Sequence, residues 1–205
     1  IDQKYGKKKL NLNEEVSQVI KAYVSYLNTF QGSDSRLDIL KNLAAIYSHS
    51  GQPMEAGRRF YERSLILQGD LGLHGATLSM DTLSLDSEGE ESADTNENKN
   101  DDGLSDAYQA VLHFQTALAD GARSQSERVV ARAALRRSAA KLLTSELSKD
   151  QGPQVRYAIA LTFYNEGRLD EAIEYLSAVA TEHPQTEQGD SAALLVLDAY
   201  NKQND

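Results

Sequence analysis

The residues with the most chemical promise lie near the middle of the chain. Across Asn98-Lys-Asn100-Asp-Asp102-Gly103-Leu-Ser-Asp106-Ala-Tyr-Gln109, oxygen side chains fall at the first, third, fifth and ninth places of a calcium-loop template. Gly103 takes the sixth place, where such a loop turns sharply. Asn98, Asn100, Asp102 and Asp106 are therefore candidate calcium ligands. Gln109 stands where a bidentate Glu would close a strong site, and Asn takes two charged positions, so the expected site is weak. The alternative is an acidic run leading into a helix, whose N-terminal dipole favours Asp101, Asp102 and Asp106.

Other chemistry finds little material. Cysteine is absent, which removes disulfides, thiolate zinc sites and thiol nucleophiles. His49, His74, His113 and His183 are scattered and show no metal-ligand spacing. Asp170 and Glu171 form a carboxylate pair, but they open a predicted helix, where acids favour the dipole. No phosphate-binding glycine loop or nucleophile elbow occurs. Neither an enzyme nor a bound cofactor is expected. Arg128, Arg132 and Arg136 step by four and share one helix face. That row fits electrostatic docking of an acidic partner, or of the chain's own acidic stretch. Its alternative is a solvated face.

These residues must be positioned by helices. The chain has 205 residues, three prolines and no tryptophan, with abundant Ala, Leu and Glu. Apolar residues repeat with helical period along Val16–Phe30, Leu40–Tyr47 and Ala56–Leu67, then along Leu104–Leu118. Ser35 with Asp38, and Ser124 with Glu127, read as capping boxes. Helices are predicted at about 125–148, 154–166 and 169–182, and from about 190 onward, carrying Leu194, Leu197 and Tyr200. That makes about eight helices in an all-α chain, with no strand run.

The formal net charge of −10 is unevenly spread. Nine acids and one base lie between Asp81 and Asp102, so this stretch carries −8. It has too few apolar residues to offset its ordering entropy. The predicted organisation is a basic N-terminal tail at 1–12, a helical half at 13–70, a flexible acidic insertion at 71–102 and a second helical half at 103–205. The acidic balance argues against nucleic acid as partner. No apolar run reaches the roughly 20 residues of a membrane span, so no membrane insertion is expected. Ile1 at the start suggests a processed product, or part of a larger chain or complex.

Two segments match at a constant offset of 116 residues. Leu43-Ala44-x-x-Tyr47 aligns with Ile159-Ala160-x-x-Phe163, Gly51 with Gly167, Ala56 with Ala172, and Phe60 with Leu176. This spacing resembles the tetratricopeptide repeat. Pro184 closes the second unit, and Ala193-x-x-Val196-Leu197-x-x-Tyr200 resembles the first helix of another. Leu40 and Arg156 depart from the pattern where a large aromatic is usual, and Leu197 departs where a small residue is.

The resemblance implies a solenoid of antiparallel helix hairpins that binds a protein or peptide on its concave face. By position it assigns that face Lys41, Ala45, Ser48 and His49 in the first unit, and Tyr157, Leu161, Tyr164 and Asn165 in the second. The tyrosines with Leu161 would make an amphipathic strip for an apolar peptide, unless another helix of this chain covers them. Lys41 and Asn42 match part of the family's carboxylate clamp, but Ala45 does not, so clamp binding is not expected. The Ala-rich run after Pro184 is similar to helical-repeat proteins of bacterial cell envelopes, which favours the periplasm over the cytoplasm. The expected function is a non-enzymatic binding scaffold. The alternative is a calcium-responsive envelope or exterior protein, since the 98–106 stretch also resembles aspartate-rich calcium repeats of extracellular bacterial proteins.

Overall fold

The computed structural model describes residues 12–69, 97–121, 123–145 and 151–204. Most of the predicted basic tail, residue 70 and residues 71–96 of the predicted acidic insertion lie outside them. The described residues form eight helices and no strand: α1 (Leu12–Thr29), α2 (Arg36–His49), α3 (Pro53–Leu67), α4 (Glu97–Ala119), α5 (Gln125–Leu143), α6 (Gln151–Asn165), α7 (Leu169–Glu182) and α8 (Glu187–Asn204). Each helix from α1 to α3 and from α4 to α8 packs on its successor, and α3 packs on α4. Contacts one step further join α4 to α6 and α6 to α8.

Two helix ends are built alike. Gly51 and Gly167 both adopt the left-handed conformation, with φ of 70° and 75°. Gln52 N–H donates to Tyr47 O at 2.9 Å, and Arg168 N–H donates to Phe163 O at 3.0 Å. Gly51 and Gly167 donate to Ser48 O and Tyr164 O at 3.2 and 3.1 Å. This double bond pattern satisfies the last carbonyls of a helix, and a residue other than glycine at the left-handed position would be strained. The carbonyls of Gln52 and Arg168 then accept from Ala56 and Ala172, starting α3 and α7. Every partner in the second turn lies 116 residues after its equivalent.

The core follows the matched positions. Leu43, Ala44, Tyr47 and Ala56 are buried, as are Ile159, Ala160, Ala172 and Leu176. The largest apolar cluster spans α3 to α6 around Phe114 and Leu135. A second joins α1, α2 and α3 through Leu27, Leu40 and Leu43, and a third joins α6, α7 and α8 through Leu176 and Ala192.

Several predicted details differ. Ser35 makes no side-chain cap bond, and its own N–H instead donates to Ser33 Oγ at 3.2 Å. α4 begins at Glu97, so the last six residues assigned to the insertion are helical. α5 ends at Leu143, five residues early, and α8 begins at Glu187. Val19 and Phe30 are exposed: among the described residues, the cluster that α1 joins is made with α2 and the edge of α3 alone. Leu194, Leu197 and Tyr200 are also exposed, since α8 turns Ala192 and Ala199 inward instead.

Candidate functional site

A groove of about 350 Å³ opens between α4, α5 and α6. Leu118, Leu135, Ala158 and Leu161 supply its apolar wall, and Gln115, Gln125, Thr162 and Asn165 its neutral polar groups. Arg128 and Arg132 are its charged groups. The helices that make it are held in place locally. Tyr108 on α4 donates to Gln154 Oε1 on α6. Further along, Gln115 and Leu118 face Leu161 and Asn165 across the groove. α4 and α6 therefore run in the same direction, joined at Tyr108–Gln154 and parted toward their C-terminal ends.

The first turns of α5 fill the space beneath. Its start is fixed by the predicted capping box: Ser124 Oγ accepts from Glu127 N–H at 3.3 Å, and Glu127 Oε2 accepts from Ser124 N–H at 2.9 Å. The Ser124 hydroxyl, donating to Glu127 Oε2 at 2.7 Å, and then the Ser124 N–H hold the Glu127 carboxyl below the usual range. Arg128 Nη2 donates to Gly121 O at 2.9 Å, tying the α4–α5 turn to the helix.

The arginine row is not a solvated face. Arg132 is buried, donating from Nε to Arg128 O at 3.3 Å and from Nη1 to Asn165 O at 3.4 Å. Arg136 Nη1 donates to Thr162 Oγ1 at 3.1 Å and to Glu166 Oε2 at 2.9 Å. Its guanidinium carbon lies 5.1 Å from the centre of the Phe163 ring, which Arg168 approaches to 4.5 Å. The row thus faces α6. Arg128 and Arg132 line the groove, while Arg136 sits behind it.

The expected binding residues divide. Leu161 and Asn165 reach the groove. Tyr157 and Tyr164 do not. Both pack on the cluster that includes Ala192, and Tyr164 Oη donates to Asp198 and accepts from Lys202. Lys41, Ala45, Ser48 and His49 remain exposed along α2, with His49 Nδ1 2.8 Å from Ala45 O. They line neither the groove nor the wider depression of about 510 Å³ along α1. Among the described residues, that depression is lined by α1 alone.

The calcium template does not form a loop. Residues 98–109 lie wholly within α4, and a helical backbone advances steadily where a calcium loop must wrap around the ion. Asp106 is an ion-pair partner of Arg63 on α3, and Asp102 Oδ2 lies 4.0 Å from Arg63 Nη2. Among the described residues, no three His, Asp or Glu side chains gather as a metal would need. His113 stacks on Phe60 with ring centres 5.4 Å apart, and burial lowers its pKa. Glu171 is bonded by Arg168, which holds its carboxyl low, and Asp170 accepts from Gln203 Nε2 at 2.7 Å.

Sequence reasoning missed Gln115, Leu118, Gln125 and Leu135 as groove residues, and a buried ion network on α3. Glu62 accepts from Arg36 Nη2 at 2.8 Å and from Arg59 Nη1 at 2.9 Å, with all three side chains at most 2% exposed. The Arg59–Glu62 spacing of three is a visible pairing signal, but Arg36 lies 26 residues away. No helix is long and apolar enough, among the described residues, to cross a membrane. No family model matches the chain, and neither does any curated protein or solved structure.

Proposed function

We propose that this chain is a non-enzymatic binding scaffold of the tetratricopeptide type, taking a peptide or partner-protein segment in the α4–α5–α6 groove. In this reading α2/α3, α4/α5 and α6/α7 are successive hairpins, and α8 is a further first helix. The matched helix ends at Gly51 and Gly167 support the repeat, as do the contacts of α4 with α6 and of α6 with α8. One observation carries the functional reading. Leu161 and Asn165, expected on the binding face, open into the same groove as Arg128 and Arg132. Its size sits at the lower end of ligand pockets, fitting a few side chains of an extended or helical segment. Its walls are apolar groups, amides and guanidinia, which hold and orient a ligand.

The test is selection from a random-peptide display library on the full chain, followed by affinity measurements on wild type and Leu161→Glu. Leu161 is only half-buried, so the change places a carboxylate in the groove at modest cost to the core. Loss of at least about tenfold in affinity, roughly 1.4 kcal/mol, is expected. Selection of no peptide, or equal binding to a folded Leu161→Glu variant, would refute the reading.

A further inference from the structure

We propose that the groove recognises an acidic peptide segment of a partner protein, seating a carboxylate at Arg128 and Arg132 and a neighbouring apolar side chain against Leu118, Leu135 and Leu161. This rests on the scaffold reading above and adds the class of ligand. Among the described residues, the groove lining holds two guanidinia and no carboxylate. The acids nearest in sequence are engaged elsewhere: Asp120 and Glu127 lie 3.8 and 3.6 Å from Arg123.

Behind the groove one carboxylate serves several cations. Glu166 lies 3.5 Å from Arg132, 2.9 Å from Arg136 and 4.0 Å from Arg168, although Arg168 has a closer partner in Glu171. Arg128 has no carboxylate partner among the described residues, and its Nη2 is committed to the neutral Gly121 carbonyl. Its Nε is buried and meets no acceptor there. A guanidinium has five donors in a planar fork, suited to a carboxylate in two-point contact. Partial burial makes such a contact stronger than it would be in water.

The rest of the lining sets the second requirement. Leu135 is fully buried at the floor, and Leu161 and Leu118 stand half-buried at the sides. An apolar side chain next to the carboxylate would cover them. The same features disfavour nucleic acid, which needs an extended positive surface, whereas this chain carries −10 overall.

The experiment analyses the peptides selected on the full chain. Enrichment of Asp or Glu beside Leu, Ile, Met or Phe is expected. Selected peptides should also lose about tenfold in affinity on Arg128→Gln, lose less on Arg128→Lys, which keeps the charge but not the two-point fork, and weaken as salt rises. Arg128 is half-exposed, and a thermal melt checks that Arg128→Gln remains folded. Peptides that bind but show no acidic enrichment, or that ignore Arg128→Gln, would overturn this proposal and leave the scaffold reading standing. Failure to select any peptide, on wild type and on a variant with Asp86, Glu88, Glu90 and Glu91 changed to Ser alike, overturns both. If nothing is selected until Asp86, Glu88, Glu90 and Glu91 are changed to Ser, the occupant is the chain's own acidic stretch and the partner assignment is overturned. A dimer in sedimentation that Arg128→Gln dissociates would give the groove to a second copy, with the same consequence.

Discussion

Glu62 offers the sharpest test of how the helices are held. Its carboxylate accepts from Arg36 on α2 and from Arg59 on its own helix, at 2.8 and 2.9 Å. Exposure of the three side chains is 0, 2 and 0% for Arg36, Arg59 and Glu62. Glu62→Gln keeps the shape and removes the charge. Arginine cannot give up its proton, so two guanidinia would remain charged in a dry site. The amide can also accept from only one of them, and it presents donors to the other. Removing one partner of a buried ion pair costs about 3–5 kcal/mol, a large share of ordinary domain stability.

Urea unfolding followed by far-ultraviolet circular dichroism reads this directly. With a slope of about 2 kcal/mol/M, the midpoint should fall by about 2 M. A second variant separates charge from packing. Arg36→Met/Arg59→Leu/Glu62→Leu replaces the network with apolar side chains of similar size, and should regain most of the loss. It should remain about 1 kcal/mol short, because Arg36 Nη1 also donates to Gln31 O at 2.9 Å and anchors the turn before α2. A cost below about 1 kcal/mol for Glu62→Gln would refute the reasoning, since it would mean that water reaches the network and relieves the orphaned charge.

Two further substitutions probe the α3–α4 contact. Ala at Gly57 would gain about 1 kcal/mol in helix propensity, but its Cβ would stand 3.0 Å from Cδ1 and Cε1 of the fully buried Phe114 ring. Overpacking costs about 1–3 kcal/mol, so Gly57→Ala should lower the melting temperature by about 2–4 °C, while Gly152→Ala, with open space around it, should not; a rise for Gly57→Ala refutes the packing argument. Burial pushes the Asp106 carboxyl up to about 6, with Asp102 adding to the rise and Arg63 and Lys41 opposing it. The folded state therefore binds this proton more tightly than the unfolded chain, and the associated stability is full below about pH 4 and is lost as pH rises through about 6. Relative to Asp106→Asn, wild type should lose on the order of 2–3 kcal/mol between pH 4 and pH 7; a constant difference in urea midpoints would disprove the shift.

What the sequence displayed was mostly local. The glycines at 51 and 167 mark helix ends because the left-handed turn suits glycine, and that requirement acts within five residues. Likewise Ser124 and Glu127 satisfy each other across one turn, and α7 spans 169–182, ending before Pro184 as predicted. Burial was less legible where it depended on the number of neighbours. Leu194 and Leu197 step with helical period, yet α8 buries its alanine stripe and leaves them out. Arg36, Arg59, Glu62 and Arg63 read as surface residues by type. They are buried where α3 is sandwiched between α2 and α4, and besides the local Arg59–Glu62 pair it is partners 26 and 43 residues away that make this tolerable.

The candidate site shows the same division between local and distant causes. Spacing by four put Arg128, Arg132 and Arg136 on one face, but not on any particular side of the molecule. The tyrosines at 157 and 164 matched the binding positions of the repeat that the sequence resembles, yet in such an array a first helix is also a packing surface for the next. Where α8 lies close to α6, Tyr164 is spent on that contact, with Lys202 4.4 Å above its ring, and Tyr157 packs into the cluster that joins α6, α7 and α8. Where α4 and α6 part beyond the Tyr108–Gln154 bond, Leu161 and Asn165 stay open, and the arginines of α5 show through the gap. The positive groove and the net −10 are thus compatible. Charges beyond about 8 Å are screened at physiological salt, so a bound segment answers to the two arginines beside it rather than to the sum over the chain.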